Sequence, residues 1–284
     1  MVKKLENQIG SPLFDRNYKP PRLTEIGYEY VRIAKQMADT ETAFEDYTTS
    51  ISRLDTGSIK IGSNQSLSAL VMPKYITRFV SKYPNIHLSI TESKTDVLEK
   101  MLLNGDLDLV INCNEINTDL FEAYPLRKEH LIIALPKSFA INKELKEYCL
   151  SLCDIENGEH TKTGTKAVPL HAFQSVPFIH MPAGNDQRTR TDLIFGKNFL
   201  NPPILFEIDR LTTIYTLVSL GNAAAIVSDT VAIEMSKKHI ASDDVVFYKI
   251  DSPLATRTIS VLHKKNRYLS TAMKAFISNL SYLE

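Results

Sequence analysis

The chain has 284 residues, enough for one large domain or two ordinary domains with a substantial core. Its 33 basic and 33 acidic side chains give a formal net charge of zero, which excludes a uniformly basic nucleic-acid-coating protein. Any surface that binds nucleic acid must therefore be a local patch. No apolar run reaches the roughly 18 residues of a membrane span, so no membrane association is expected. Three cysteines and a start without an apolar signal core predict a cytoplasmic protein.

Residues 1–23 form the first segment and carry more basic than acidic side chains. Pro20-Pro21 mark the end of this segment, because proline fits neither a helix interior nor a central strand. This segment is therefore a candidate local patch for nucleic acid.

One long helix is predicted for residues 24–56, with Thr24 as its N-cap and Gly57 as the left-handed residue after its end. Apolar side chains recur in it at alternating steps of four and three residues, a heptad pattern. They are Ile26, Tyr30, Ile33, Met37, Phe44, Tyr47, Ile51 and Leu54, with Thr40 completing the spacing. Such a seam needs a partner, most simply a second copy of the chain; the alternative is a long core helix of the next domain.

From residue 57 onward, strand and helix patterns alternate, which predicts an α/β fold. The predicted strands are residues 58–62, 87–91, 107–111, 131–135, 177–181, 204–208, 223–227, 246–249 and 258–262, and one of the helices between them is predicted for residues 186–197. Two blocks of this alternation flank an irregular polar stretch, so we expect two lobes within residues 57–284. Lobe one takes residues 57–138 and 250–284, lobe two takes residues 139–249, and each holds a doubly wound parallel sheet.

No catalytic motif of the nucleophile-elbow, P-loop, dinucleotide or zinc-protease type is present, and the seven histidines are scattered over different predicted elements. Cys149, Cys153 and His160 do not have the spacing of a zinc knuckle. We therefore expect no enzyme, no metal site and no cofactor.

Three polar loops follow predicted strands, at residues 63–66, 93–95 and 183–188. Open α/β sheets bind ligands at the carboxyl ends of their strands, where loops lead into helices. Free backbone N–H groups at helix starts suit an anion, so an anionic small molecule is the expected ligand. Thr95 and Asp186 also have a simpler role as helix-start residues, which is compatible with ligand contact.

The order of several motifs resembles the LysR-type transcriptional regulators over nearly the whole chain. Residues 13–16 and 22–27 resemble that family's wing and the start of its linker helix, and residues 2–10 resemble the later part of its recognition helix. Residues 57–62, 79–84, 105–109, 126–136 and 218–227 resemble successive parts of its effector domain.

The resemblance implies a partial winged helix-turn-helix, a dimerising linker helix and a two-lobed effector domain like the periplasmic binding proteins. It implies a DNA-binding regulator whose promoter binding is controlled by a small-molecule effector in the interlobe cleft, acting as a dimer or tetramer. The implied effector contacts are Ser66, Leu67, Thr95, Asn112, Cys113, Asn185, Asp186 and Arg188. The implied DNA contacts, mainly to phosphates, are Lys3, Lys4, Arg16, Asn17 and Lys19.

The resemblance also places Met1 inside the recognition helix, so the first helices of the winged helix-turn-helix are missing from the sequence. We expect a frayed or displaced start and weak, non-specific DNA binding, because Leu5, Ile9, Leu13 and Phe14 lack their usual packing partners. The alternative function is a dimeric ligand-binding protein without specific DNA binding. A transporter's solute-binding protein shares the two-lobed fold but needs an export signal and has no coiled-coil seam.

Overall fold

The computed structural model describes residues 2–49, 57–237 and 244–281. The helices are α1 (Val2–Ile9), α2 (Glu25–Thr49), α3 (Gln65–Leu70), α4 (Met72–Lys82), α5 (Thr95–Leu103), α6 (Ile141–Glu144), α7 (Leu152–Glu156), α8 (Asp186–Lys197), α9 (Leu211–Ser219), α10 (Asp229–Lys237) and α11 (Thr271–Ser281). The strands are β1 (Phe14–Asp15), β2 (Arg22–Leu23), β3 (Gly57–Ser63), β4 (Ile86–Glu92), β5 (Leu109–Asn112), β6 (Phe121–Pro136), β7 (Phe178–His180), β8 (Ile204–Glu207), β9 (Ala225–Ser228), β10 (Val245–Lys249) and β11 (Thr256–Lys264). Within the described ranges, no helix is long and apolar enough to cross a membrane.

The N-terminal segment folds as helix α1 followed by a small wing, the antiparallel pair β1–β2. Glu6 ties the two together, because its carboxylate accepts backbone N–H groups from Leu13 and Phe14 at 2.9 and 3.2 Å. The Leu13 hydrogen bond is the main reason that the pKa of Glu6 lies below its usual range. Residues 2–9 are helical in the structure, so the start is not frayed. Helix α1 nevertheless has no buried side chain, and Ile9 is 38% exposed.

Helix α2 begins in close contact with the wing. The Thr24 hydroxyl accepts the N–H of Gly27 at 3.0 Å, which confirms the predicted N-cap. A Cβ atom at Gly27 would lie 2.1 Å from the carbonyl oxygen of Leu13, far inside van der Waals contact. Only glycine therefore allows this approach of helix to wing.

Replacing Gly27 with alanine is expected to lower the free energy of unfolding by about 1–3 kcal/mol, because the wing must move away from the helix. Chemical denaturation followed by circular dichroism measures the change. The control is Gly196→Ala in α8, where an added Cβ meets nothing within 4 Å. That control should leave stability unchanged or raise it by up to about 1 kcal/mol. Equal stability of the two variants would contradict the close packing of α2 on the wing.

The apolar seam of α2 lies on the surface of the single chain. Ile26, Ile33, Met37 and Phe44 are 46%, 44%, 69% and 68% exposed, and Tyr30 is 36% exposed. This exposure is the opposite of what a core helix would show, so that alternative is wrong. Ile51 and Leu54, and the side chain of Tyr47, lie outside the described residues.

Lobe one is built on three parallel strands in the order β4–β3–β5, with β11 antiparallel on the far side of β5. Alternate residues of β3 point into the core, where Ile59 and Ile61 are fully buried. Helices α4 and α11 cover this face, and Phe79 meets Phe276 edge to face at 5.1 Å. The core thus fixes the carboxyl ends of β3, β4 and β5 along one edge of the sheet.

The long strand β6 passes through both lobes. Its first part, residues 121–130, pairs with β11, and its last part, residues 131–136, pairs with β9 and β10. All of these pairings are antiparallel, so the main sheet is mixed. Among the described residues, the parallel pairing that the sequence predicted is found in β4–β3–β5 and in β7–β8. The spacing of apolar residues identifies strands but carries no information on their direction, which the chain crossover decides.

Lobe two packs α8, α9 and α10 around the end of β6, with β7 and β8 forming a parallel pair beside β9. The irregular stretch contains α6, α7 and short 3-10 turns at residues 146–148, 159–161 and 170–173. Its apolar side chains fill the second core, where Phe173 packs edge to face on Phe178 and Tyr248. The expected two-lobed α/β architecture is therefore present.

Candidate functional site

A cleft with a volume of about 850 Å³ lies between the two lobes. On the lobe-one side it is lined by the loops and helix starts that follow β3, β4 and β5. On the lobe-two side it is lined by the loop after β7 and the first turns of α8 and α10. Arg257 of β11 also lines it. The carboxyl ends of the parallel strands thus converge on one cavity, as the fold class predicts.

On the lobe-one side, Ser66, Leu67 and Thr95 all line the cleft. Asn64 holds the loop that carries the first two, because its side-chain oxygen accepts the N–H of Leu67 at 2.9 Å and caps α3. Cys113 also lines the cleft and is 3% exposed. Burial raises the pKa of the Cys113 thiol to about 11, so this cysteine is a neutral lining group and not a nucleophile.

On the lobe-two side, Asn185 and Asp186 line the cleft at the start of α8. Asn185 caps the helix through the N–H of Gln187 at 2.9 Å. Asp186 accepts hydrogen bonds from Arg190 at 3.2 Å and from Arg257 at 3.3 Å. These two arginines were not predicted from the sequence, and both line the cleft.

Two of the residues implied by the family resemblance lie outside the cleft lining. The amide oxygen of Asn112 accepts the backbone N–H groups of Cys113 and Asn114 at 2.7 and 3.0 Å and shapes the turn after β5. Arg188 points away from the cleft, and Asp192, Glu207 and the carbonyl of Met181 hold its guanidinium. Arg190 occupies the cleft instead.

The floor of the cleft contains a buried ion pair. Arg257 donates from Nε to Glu129 at 2.6 Å, and the two side chains are only 8% and 2% exposed. The two residues face each other in the register of β6 with β11. Glu129 lies in the polar run of residues 127–130, just before the strand predicted at residues 131–135, so no sequence signal marked it. Only strand pairing identifies its partner.

The charge of the cleft is predominantly negative. The acidic lining residues are Glu92, Asp96, Glu99, Glu115, Glu129, Asp186 and Asp209, and the basic ones are Lys94, Arg190 and Arg257. Both arginines are already engaged by carboxylates, whereas Lys94 forms no ion pair with another described residue. Burial, followed by the charge of Asp96, raises the pKa of Glu99.

The residues expected to contact DNA lie on α1 and the wing. Lys3 and Lys4 are exposed on α1, and Lys19 is exposed in the turn between β1 and β2. Arg16 forms a 2.7 Å ion pair with Glu6, and the backbone N–H of Asn17 donates to Asp15. All five side chains are thus on the surface of one small unit.

Residues 52–282 match the family model described as the LysR substrate binding domain. The chain belongs to the LysR family of transcriptional regulators. This family consists of DNA-binding regulators controlled by small-molecule effectors and not of enzymes, which confirms the function expected from the sequence. A curated relative, the uncharacterized HTH-type regulator YybE of Bacillus subtilis, is 24% identical over 275 residues, covering 97% of this chain and 85% of YybE.

Solved structures of LysR regulators have the same fold. A full-length single-substitution variant of OxyR from Pseudomonas aeruginosa superposes with a TM-score of 0.70 at 17% identity, over 99% of this chain and 86% of OxyR. The regulatory domain of CcmR from Synechocystis PCC6803, solved in complex with 2-PG, superposes with a TM-score of 0.63 at 16% identity, over 80% of this chain and 96% of CcmR.

Proposed function

We propose that this chain is a cytoplasmic, dimeric LysR regulator whose promoter binding is controlled by a small molecule held in the interlobe cleft. The observation that carries the proposal is the cleft of about 850 Å³, into which both lobes turn polar helix starts. A ligand that touches both lobes favours one angle between them over another. Such a change moves the linker helices and with them the spacing of the two DNA-binding units.

The effector is expected to touch Ser66, Leu67, Thr95 and Cys113 in lobe one and the start of α8 in lobe two, where Asn185 and Asp186 lie. The sequence favoured an anionic effector. The charges of the cleft favour one that carries a positively charged group, because the two arginines are neutralised and Glu99 has no cationic partner among the described residues. Arg188 and Asn112 then act indirectly, by holding α8 and the turn after β5.

Thermal shift against a metabolite panel, grouped by charge, tests the site. For any ligand that stabilises the wild type, Thr95→Val or Ser66→Ala should weaken binding by about 2–10-fold, since each removes a neutral hydrogen bond. Glu99→Gln should weaken a cationic ligand by about 10–100-fold and leave an anionic ligand unaffected. The control is Ser81→Ala, a hydroxyl on the exposed face of α4.

If the ligand stabilises all three cleft variants as much as the wild type, the effector site lies elsewhere. If only anionic ligands stabilise the protein, the proposed charge class is wrong while the site stands.

For the DNA-binding unit, we propose phosphate contacts by Lys3, Lys4, Arg16, Asn17 and Lys19. Phosphate contacts carry no direct sequence information and make affinity dependent on salt. A gel-shift titration at several salt concentrations is expected to show binding with a steep salt dependence. Binding that does not respond to salt would contradict the phosphate contacts, and no binding at all would favour the alternative of a dimeric ligand-binding protein.

A further inference from the structure

Two histidines and an aspartate meet where β6 passes from one lobe to the other. His130 lies at this crossing, since it pairs with Thr256 of β11 while the next residue, Leu131, pairs with Ser228 of β9. Asp229 begins α10, and His160 lies in the 3-10 turn of residues 159–161. The three side chains belong to segments far apart in sequence and lie outside the effector cleft.

The nitrogen and oxygen atoms of this cluster lie close enough together to share one metal ion. His130 Nδ1 and His160 Nε2 lie 3.2 and 3.1 Å from the same oxygen of Asp229, and all the potential ligand atoms are within 4.8 Å of one another. Tetrahedral zinc with bonds of about 2.0–2.1 Å requires ligand atoms about 3.3 Å apart. Small movements of the two rings would therefore complete a site with three protein ligands.

The carboxylate is oriented for this role by its own helix. The other oxygen of Asp229 accepts the N–H of Thr230 at 2.7 Å, which leaves the first oxygen to face the two rings. Burial opposes ionisation of Asp229, but the hydrogen bonds from the histidines outweigh it and hold its pKa well below the usual range. A charged carboxylate with two imidazoles supplies the ligand types that zinc prefers.

We propose that His130, His160 and Asp229 form a reversible binding site for a divalent transition-metal ion such as Zn²⁺. Two imidazoles favour zinc over magnesium or calcium, which prefer oxygen ligands. The binding is expected to be reversible, because Nδ1 of His160 is buried and has no hydrogen-bond partner among the described residues. Histidine ligands in tight sites usually donate that second N–H, and loss of such a partner costs about 10–100-fold in affinity.

The site would hold three separate segments together at the crossing strand. Thr230 and Val231, which follow Asp229 in α10, line the effector cleft. Metal binding is therefore expected to raise the melting temperature of the chain, because the ion binds the folded arrangement and not the unfolded one.

The test is calorimetric titration of the full chain with ZnCl₂ after treatment with a chelator, in a Cys153→Ser background that removes an exposed thiol. The expected result is one zinc ion per chain, a rise in melting temperature, and no comparable effect of MgCl₂. His130→Gln and His160→Gln should each weaken zinc binding at least about tenfold. The control is His171→Gln, an exposed histidine of the same lobe, which should bind zinc as the wild type does.

Circular dichroism and melting in EDTA establish that each variant is folded. If His160→Gln folds poorly, the test uses His130→Gln, at a more exposed position, and the conservative variant Asp229→Asn. The proposal is overturned if zinc shows no saturable binding to the parent chain, or if binding is undiminished in the folded ligand variants. Because the readout is metal binding itself, this result is independent of whether the cleft binds an effector.

Discussion

Arg257→Met is expected to lower the free energy of unfolding by about 3–5 kcal/mol, because it leaves the Glu129 carboxylate buried without its partner. Glu129 is 2% exposed, so water cannot replace the lost hydrogen bond of 2.6 Å. Burial alone would lower the pKa of Arg257, but the charge of Glu129 raises it, so the guanidinium is protonated at neutral pH. Urea denaturation followed by circular dichroism measures the loss.

The double variant Glu129→Met with Arg257→Met should recover most of this stability, since apolar side chains of similar volume replace both charges. Asp186 keeps Arg190 as a partner in that variant. The control is Lys166→Met, which removes an exposed ion pair with Glu147 and should cost no more than about 1 kcal/mol. If Arg257→Met loses as little unfolding free energy as the control, water reaches the floor of the cleft.

The second large effect concerns assembly. Placing aspartate at both Ile33 and Phe44 is expected to convert the dimer to monomers, because four charges would face one another along the α2 seam. The fold of each chain should survive, since both side chains are exposed in the single chain. Analytical ultracentrifugation measures the change in mass.

Loss of the dimer also separates two DNA-binding units, so the affinity for a DNA duplex long enough to contact both units should fall, because the second contact is no longer intramolecular. The control is Tyr28→Asp, which introduces the same charge at a 66% exposed aromatic residue outside the heptad spacing. An unchanged dimer in the double variant would show that the chains associate through other surfaces and that α2 is not the interface.

Local signals determined much of this fold in advance. Helix α8 has the predicted bounds, residues 186–197, because Asn185 caps it and Asp186 stands in its first turn, where the helix dipole favours a negative charge. The loops after β3, β4 and β7 were expected to meet, since parallel strands bring their carboxyl ends to one edge. Each of these inferences depends on a few neighbouring residues or on the fold class. A single sequence is enough to identify both.

The residues that give the cleft its charge could be identified only from the tertiary structure. Glu129 and Arg257 are 128 positions apart and meet only because β6 pairs with β11 in one register. Arg188 and Arg190 are two residues apart in α8, about 200° around the helix, so only one of them can face the cleft. The sequence identifies the helix and both arginines, but the packing of α8 on the rest of lobe two decides that Arg190 faces inward. Contacts between distant segments depend on the global arrangement of the chain, and no local pattern encodes them.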